Sequence, residues 1–154
     1  MITYTVEQVS TIWGFEKDIV NFLHEEAPKI NKMFGDDFDY KGFRLDVFAE
    51  KGIFLVCRRN GEVRGILLAS LCGSLFDQNF KILQQELFYV KPDSGRTAYH
   101  LFKKFIDIGK LKANHIITML TSQTNIKPST LVNLGFKETE VLYTLEVDNE
   151  QKRK

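Results

Sequence analysis

The stretch Glu86-Leu87-Phe88-Tyr89-Val90-Lys91-Pro92-Asp93-Ser94-Gly95-Arg96-Thr97-Ala98-Tyr99-His100-Leu101 changes its periodicity in the middle. Up to Val90 it is the apolar end of a strand spanning Leu83–Val90. Pro92-Asp93-Ser94-Gly95 then breaks the strand, because proline lacks an N–H and the small polar residues favour turns. Beyond the break Ala98, Leu101, Phe102, Phe105, Ile106 and Gly109 fall on one helical stripe. The spacing predicts a helix from about Arg96 to Lys112. Ile116-Ile117-Thr118-Met119-Leu120 follows as a short apolar strand. Strand, helix, strand in this order is a right-handed parallel crossover. Such a unit leaves a crevice at the carboxyl end of its first strand. The helix that starts there directs unpaired N–H groups and a positive dipole end into the crevice, which suits a phosphate. Gly95 lets the backbone approach a ligand closely, and Arg96 adds a fork of cationic donors. The same residues also read as a plain strand–helix turn with a surface arginine.

Working back toward the N-terminus, Ile53-Phe54-Leu55-Val56-Cys57-Arg58 is a β-rich run followed by Asn60-Gly61. That dipeptide is the strongest two-residue hairpin signal, since both central positions need φ > 0. Val63–Leu71 is the returning strand, Leu75–Asn79 a second connection, and Leu83–Val90 the third strand of an antiparallel meander. Earlier still, Ile2–Val6 alternates as a short strand. Glu16–Ala27 carries a helical stripe that Pro28 is expected to interrupt, with Lys29–Phe34 as a further turn. Gly35–Gly42 is a loop by composition, and its aspartates lack the spacing of a calcium loop. Phe43–Lys51 reads as a short helix. Toward the C-terminus, Asn125–Leu134 is a short helix with Pro128 in its first turn and Gly135 just past its end. Lys137–Val147 reads as a last strand with Val141, Tyr143, Leu145 and Val147 on one face. These elements make an α/β fold: a mixed, mostly antiparallel central sheet with helices on both faces and a parallel β-α-β crossover in the C-terminal half. Residues 1–147 form one domain, and 148–154 read as a disordered charged tail.

Composition narrows the function. The 154 residues carry 21 Lys plus Arg against 20 Asp plus Glu, a net charge of +1. Binding to nucleic acid through bulk charge is therefore not expected. The 13 phenylalanines read as core, with an exposed patch for a partner as the alternative. Cys57 and Cys72 have no zinc spacing, and the three histidines form no metal motif, so no metal is expected. Met1–Thr5 has no signal-peptide pattern, and no apolar run reaches the roughly 18 residues of a membrane span. The expectation is a cytoplasmic protein with no membrane partner.

Three local sequences resemble the GNAT superfamily of N-acetyltransferases. Glu86–Leu101 is similar to the family's strand and phosphate loop, Asn114-His115-Ile116-Ile117 to the strand after its long helix, and Leu131-Val132-Asn133-Leu134-Gly135-Phe136 to its "Y-x-x-L-G-F" segment. Within the superfamily the loop looks most like that of bacteriophage-encoded GNAT-like proteins, which would place the protein in the host cytoplasm. The resemblance implies direct transfer of acetyl from acetyl-CoA to an amine on a small molecule or a protein. It implies that Phe88, Tyr89 and Val90 on the strand, and Gly95, Arg96, Thr97, Ala98 and Tyr99 at the helix start, bind the cofactor. Asn125 is the candidate for the pantetheine arm, with a helix N-cap as its other reading. Glu86 is the candidate general base, or alternatively a solvent-facing strand carboxylate. Two positions depart from the family. His100 stands at the loop's second glycine, and Leu131 stands where the family has its tyrosine acid, so Tyr143, Tyr99 or a water must supply the proton. These departures keep a second reading in view: a catalytically degenerate GNAT-fold binding protein acting on a host or viral protein. A homodimer is equally compatible with the sequence.

Overall fold

The computed structural model describes residues 1–10, 16–33, 44–120 and 126–139, together with Tyr143, Leu145 and Val147. Its elements are β1 (Tyr4–Gln8), α1 (Lys17–Lys32), α2 (Leu45–Lys51), β2 (Ile53–Arg59), β3 (Glu62–Gly73), β4 (Lys81–Val90), α3 (Thr97–Lys112), β5 (His115–Ile117) and α4 (Pro128–Asn133). The strands form one sheet in the order β1-β2-β3-β4-β5. The first four pair antiparallel, and β5 pairs parallel to β4 after the α3 crossover. Asn60 and Gly61 take φ of 51° and 82°, as a tight hairpin of this sequence requires.

Sheet alternation explains why five consecutive residues of β2 are buried. Phe54 and Val56 face Ile19, Phe22, Leu23 and Ile30 of α1, with Ala49 of α2 in the same cluster. Ile53, Leu55 and Cys57 face Leu101, Phe102 and Phe105 of α3 and Leu131 of α4. Helices therefore cover both faces, and a central strand so covered needs no polar side. Phe54, Phe88, Phe102 and Phe105 are fully buried, each contributing about 1.5–3 kcal/mol of transfer free energy. Most of the described phenylalanines thus serve the core, while Phe76 at the β3–β4 connection stands fully exposed.

Several elements differ from the sequence expectation. Pro28 does not end the first helix, and α1 runs through it to Lys32. A mid-helix proline costs about 3 kcal/mol. Burial of Phe22, Leu23 and Glu26 before it and of Ile30 after it, all on the face toward the sheet, offsets that cost. β1 begins at Tyr4 rather than Ile2 and extends to Gln8, where Gln8 still pairs with Leu55. The strand after α3 stops at Ile117 rather than Leu120. The expected last strand, Lys137–Val147, is not a strand at its described positions: Lys137–Thr139, Tyr143, Leu145 and Val147 carry no strand pairing. Tyr143 and Leu145 there are 90% and 86% exposed, so the alternation has no described partner to pack against. The loop reading of Gly35–Gly42 and the tail reading of 148–154 lie outside the described residues.

Candidate active site

Two irregularities in the ladders redirect side chains, the first of them toward the β4–α3 junction. Between β2 and β3 the pairing passes from Cys57↔Gly65 to Arg58↔Val63, leaving Arg64 as an extra residue. Between β3 and β4 it passes from Leu68↔Leu87 to Ala69↔Gln85, leaving Glu86 as an extra residue. Such bulges turn a strand and redirect a side chain. The second bulge is visible in the packing as well. Leu83 joins the core beneath α3, whereas Leu87, four residues later, joins the core beneath α1.

Arg64 uses its redirected guanidinium to hold the loop before α3. Its Nε donates to Ser94 Oγ at 2.8 Å, and its Nη2 donates to the carbonyls of Pro92 at 2.7 Å and Asp93 at 3.4 Å. Arg59 donates to the Asp93 carbonyl as well, at 3.1 Å. Ser94 Oγ in turn donates to the Lys91 carbonyl. The negative ends of the loop are thus tied to two arginines. Asp93 and Gly95 both take φ of 60°, which turns the chain sharply into the helix.

At the helix start Arg96 is the N-cap and provides no side-chain cap. Its N–H goes to the hydroxyl of Tyr4 at 2.9 Å. Thr97 is fully buried, and its hydroxyl donates to the Ser94 carbonyl at 2.7 Å. The N–H groups of Ala98 and Tyr99 have no backbone partner among the described residues, as the first turn of a helix dictates. The Arg96 guanidinium lies 4.5 Å over the Tyr99 ring, so a fixed charge stands beside those donors. His100 turns its ring onto Tyr4, stacked at 4.5 Å between centroids. Burial, reinforced by the neighbouring Arg96 charge, pushes its pKa below 6.5.

Among the described residues β4 loses its β5 partner before its carboxyl end. Among the described residues the parallel ladder has three rungs, Ile82↔His115, Leu83↔Ile116 and Gln84↔Ile117. Lys91 N–H donates to the Arg64 carbonyl, so alternation along the antiparallel ladder turns Phe88 N–H away from β3. The buried side chains of Phe88 and Val90 pack beneath α3. Tyr89 points the other way: its hydroxyl donates to Glu26 on α1 at 2.8 Å, and Lys91 approaches the same carboxylate at 3.7 Å. Burial together with Glu26 pushes the Tyr89 hydroxyl well above its ordinary pKa, so it is a neutral donor. Glu86 is half-buried and accepts a hydrogen bond from Ser70 at 2.7 Å.

The sequence candidates Phe88, Val90, Gly95, Arg96, Ala98 and Tyr99 lie at the carboxyl end of β4 and the start of α3, whereas Glu86 sits inside β4 and bonds Ser70 of β3. The side chains of Tyr89 and Thr97 are committed to the fold, and Tyr143, 90% exposed, is joined to none of the others by a described contact. Asn125 lies outside the described residues. Leu131 is buried beneath α3, where a leucine is a core residue. Sequence reading missed Tyr4, Arg59, Arg64 and Gln85. A lone arginine between Val63 and Gly65, and a glutamine inside an apolar strand, were the only signals available. A hollow of about 210 Å³ lies between α1 and the β2–β3 turn, lined among others by Asp18, Phe22, Glu62 and Lys91. Its walls come from α1, the β2–β3 turn and Lys91, and no residue of α3 lines it.

The fold matches solved acetyltransferases. An aminoglycoside acetyltransferase from an uncultured soil metagenomic sample superposes with a TM-score of 0.64 at 18% identity, covering 95% of this chain and 99% of its own. A predicted acetyltransferase from Clostridium acetobutylicum, solved with acetyl-CoA, gives 0.62 at 11% identity over 95% and 96% of the two chains. Glucosamine-6-phosphate N-acetyltransferase from Arabidopsis thaliana gives 0.64 at 10% identity over 95% and 99%. No family model matches the chain, and no characterised protein matches it in sequence. The likeness is one of fold: a GNAT-like α/β sheet, as the sequence resemblance implies. Among the described residues no helix is long and apolar enough to cross a membrane, and no cluster could hold a metal ion.

Proposed function

We propose that this protein transfers acetyl from acetyl-CoA directly to an amine. The observation that carries the reading is the part of β4 beyond Gln84, which has no β5 rung among the described residues and from which Phe88 N–H turns away from β3. An N–H fixed there suits the oxygen of a thioester carbonyl, whose charge grows as the amine adds to the carbon. Phosphates of the CoA moiety fit the adjoining helix start, with the N–H groups of Ala98 and Tyr99 and the charge of Arg96. Arg59 and Arg64 keep the loop carbonyls turned away from that site. The amine must lose a proton, and Glu86, held by Ser70, is the base that accepts it directly or through a water. As the new C–N bond forms and the C–S bond breaks, the leaving thiolate takes a proton from Tyr143, Tyr99 or water. The acceptor amine belongs to a small molecule or a protein.

Thiol release from acetyl-CoA across a panel of amines tests this. The wild type should release free CoA with at least one acceptor, and Glu86→Gln should lower that rate about 10²-fold or more. A second reading is a binding protein of this fold without chemistry, acting on a protein partner, encoded by a phage in the form the loop resembles. Leu131 in the core and Tyr4 on the Arg96 N–H favour it. Acetyl-CoA binding without turnover of any amine would support that alternative.

A further inference from the structure

We infer that Gln85 is a positioning residue that holds the chain beyond β5 off β4 and so sets the opening into which Phe88 N–H points. In register, the rung after Gln84↔Ile117 would join Gln85 to Thr118 through their backbones. No backbone rung forms there, and the side chain of Gln85 makes the link instead. Its Oε1 accepts the hydroxyl of Thr118 and, at 3.4 Å, the N–H of Met119. Gln85 is only 7% exposed, so this amide is part of the interior rather than a surface contact. A link through a glutamine side chain replaces the backbone rung that would hold the two chains at roughly 4.8 Å. It also satisfies donors that would otherwise seek a strand partner. The adjacent bulge at Glu86 turns β4 just beyond this link. Two neighbouring residues thus perform two tasks, one replacing a backbone rung and one turning β4.

The functional part of this inference rests on the acetyl-CoA reading, because the opening serves a thioester carbonyl. Its structural part does not. The experiment compares wild type with Gln85→Met, which keeps length and apolar packing but loses the acceptor. Thr118→Val, which removes the donor from the other side, covers the case in which Gln85→Met fails to fold. Two readouts are taken. Amide exchange of Phe88 should slow about tenfold or more in the variants, as the chain after β5 closes onto β4. Affinity for acetyl-CoA should fall about tenfold while affinity for CoA, which has no carbonyl to place, stays within twofold. A merely structural role would weaken both ligands equally. Unchanged exchange at Phe88 in a folded variant overturns the inference, as does an equal loss for both ligands. If the wild type binds neither ligand, the acetyl-CoA reading fails, and the exchange of Phe88 still decides whether Gln85 sets the gap.

Discussion

The hydroxyl of Tyr4 accepts the N–H of Arg96 at 2.9 Å and lies against the place where a side chain on Gly95 would begin. One strand residue thereby fixes both the identity of the loop's last glycine and the orientation of the helix start, across 92 positions of sequence. Gly95 also needs its φ of 60°. Gly95→Ala should therefore pay twice: about 1–2 kcal/mol for the left-handed backbone, and more for the contact with Tyr4. Gly61→Ala is the control, since Gly61 has φ of 82° and nothing within 4 Å, so only the backbone part applies. Denaturant melts should show Gly95→Ala as the costlier change. Tyr4→Phe in the Gly95→Ala background should recover part of the loss, with a coupling of about 0.5–3 kcal/mol. Simple additivity would contradict the contact.

Arg64 reaches three loop acceptors because a bulge points it there. Hydrogen bonds from a charged donor contribute about 1.5–3 kcal/mol when the acceptor is buried, as Ser94 is, and less at the exposed carbonyls of Pro92 and Asp93. The Arg64 side chain is 14% exposed, so solvent replaces little of what is lost. Arg64→Lys should destabilise nearly as much as Arg64→Ala, since an ammonium cannot span the same fork. Both should weaken acetyl-CoA binding beyond their effect on CD-monitored melting. A lysine variant with wild-type stability would show that the fork is dispensable.

The two cysteines differ in reactivity by burial. Cys57 is enclosed between β2 and α3, and burial pushes its thiol up to about 11, whereas Cys72 is exposed. The thiolate is the reactive species. Alkylation of the native protein at pH 8, read by peptide mass spectrometry, should modify Cys72 alone. Cys57 should label only with unfolding, and early modification of Cys57 would place it outside the core.

His100 gives the site a pH dependence whose sign follows from its depressed pKa. Burial and then the Arg96 charge disfavour its protonated form in the fold. In the unfolded chain it protonates near 6.5, so the unfolded state binds more protons just below that pH. The contribution of His100 to stability is therefore complete above pH 6.5 and is lost as pH falls toward its folded pKa. An imidazole titration by NMR should place His100 below 6.5, and a value above it would contradict the stacked, half-buried position.

What the sequence made legible was local. Asn60-Gly61 announced its hairpin because its conformation is written in two adjacent residues, and the period change at Pro92 announced the crossover. Pro28 misled because propensity is a local cost, and burial of Ile30 against the sheet outweighs it. The site was half-legible for the same reason. Glu86, Gly95 and Arg96 sit in one continuous stretch, whereas Tyr4, Arg64 and Gln85 act through partners 92, 30 and 33 residues away. Neither bulge has a local sequence signal, yet one turns Arg64 to the loop before α3 and the other leaves Glu86 out of the ladder beside Ser70.

The most direct test is a calorimetric titration of the protein with acetyl-CoA, repeated on Arg96→Glu. Saturable binding by the wild type, weakened at least tenfold by the charge reversal, is the expected result, a loss of about 1.4 kcal/mol or more. No heat and no thermal shift at millimolar acetyl-CoA would contradict the account, leaving the GNAT-like fold in place without its proposed chemistry.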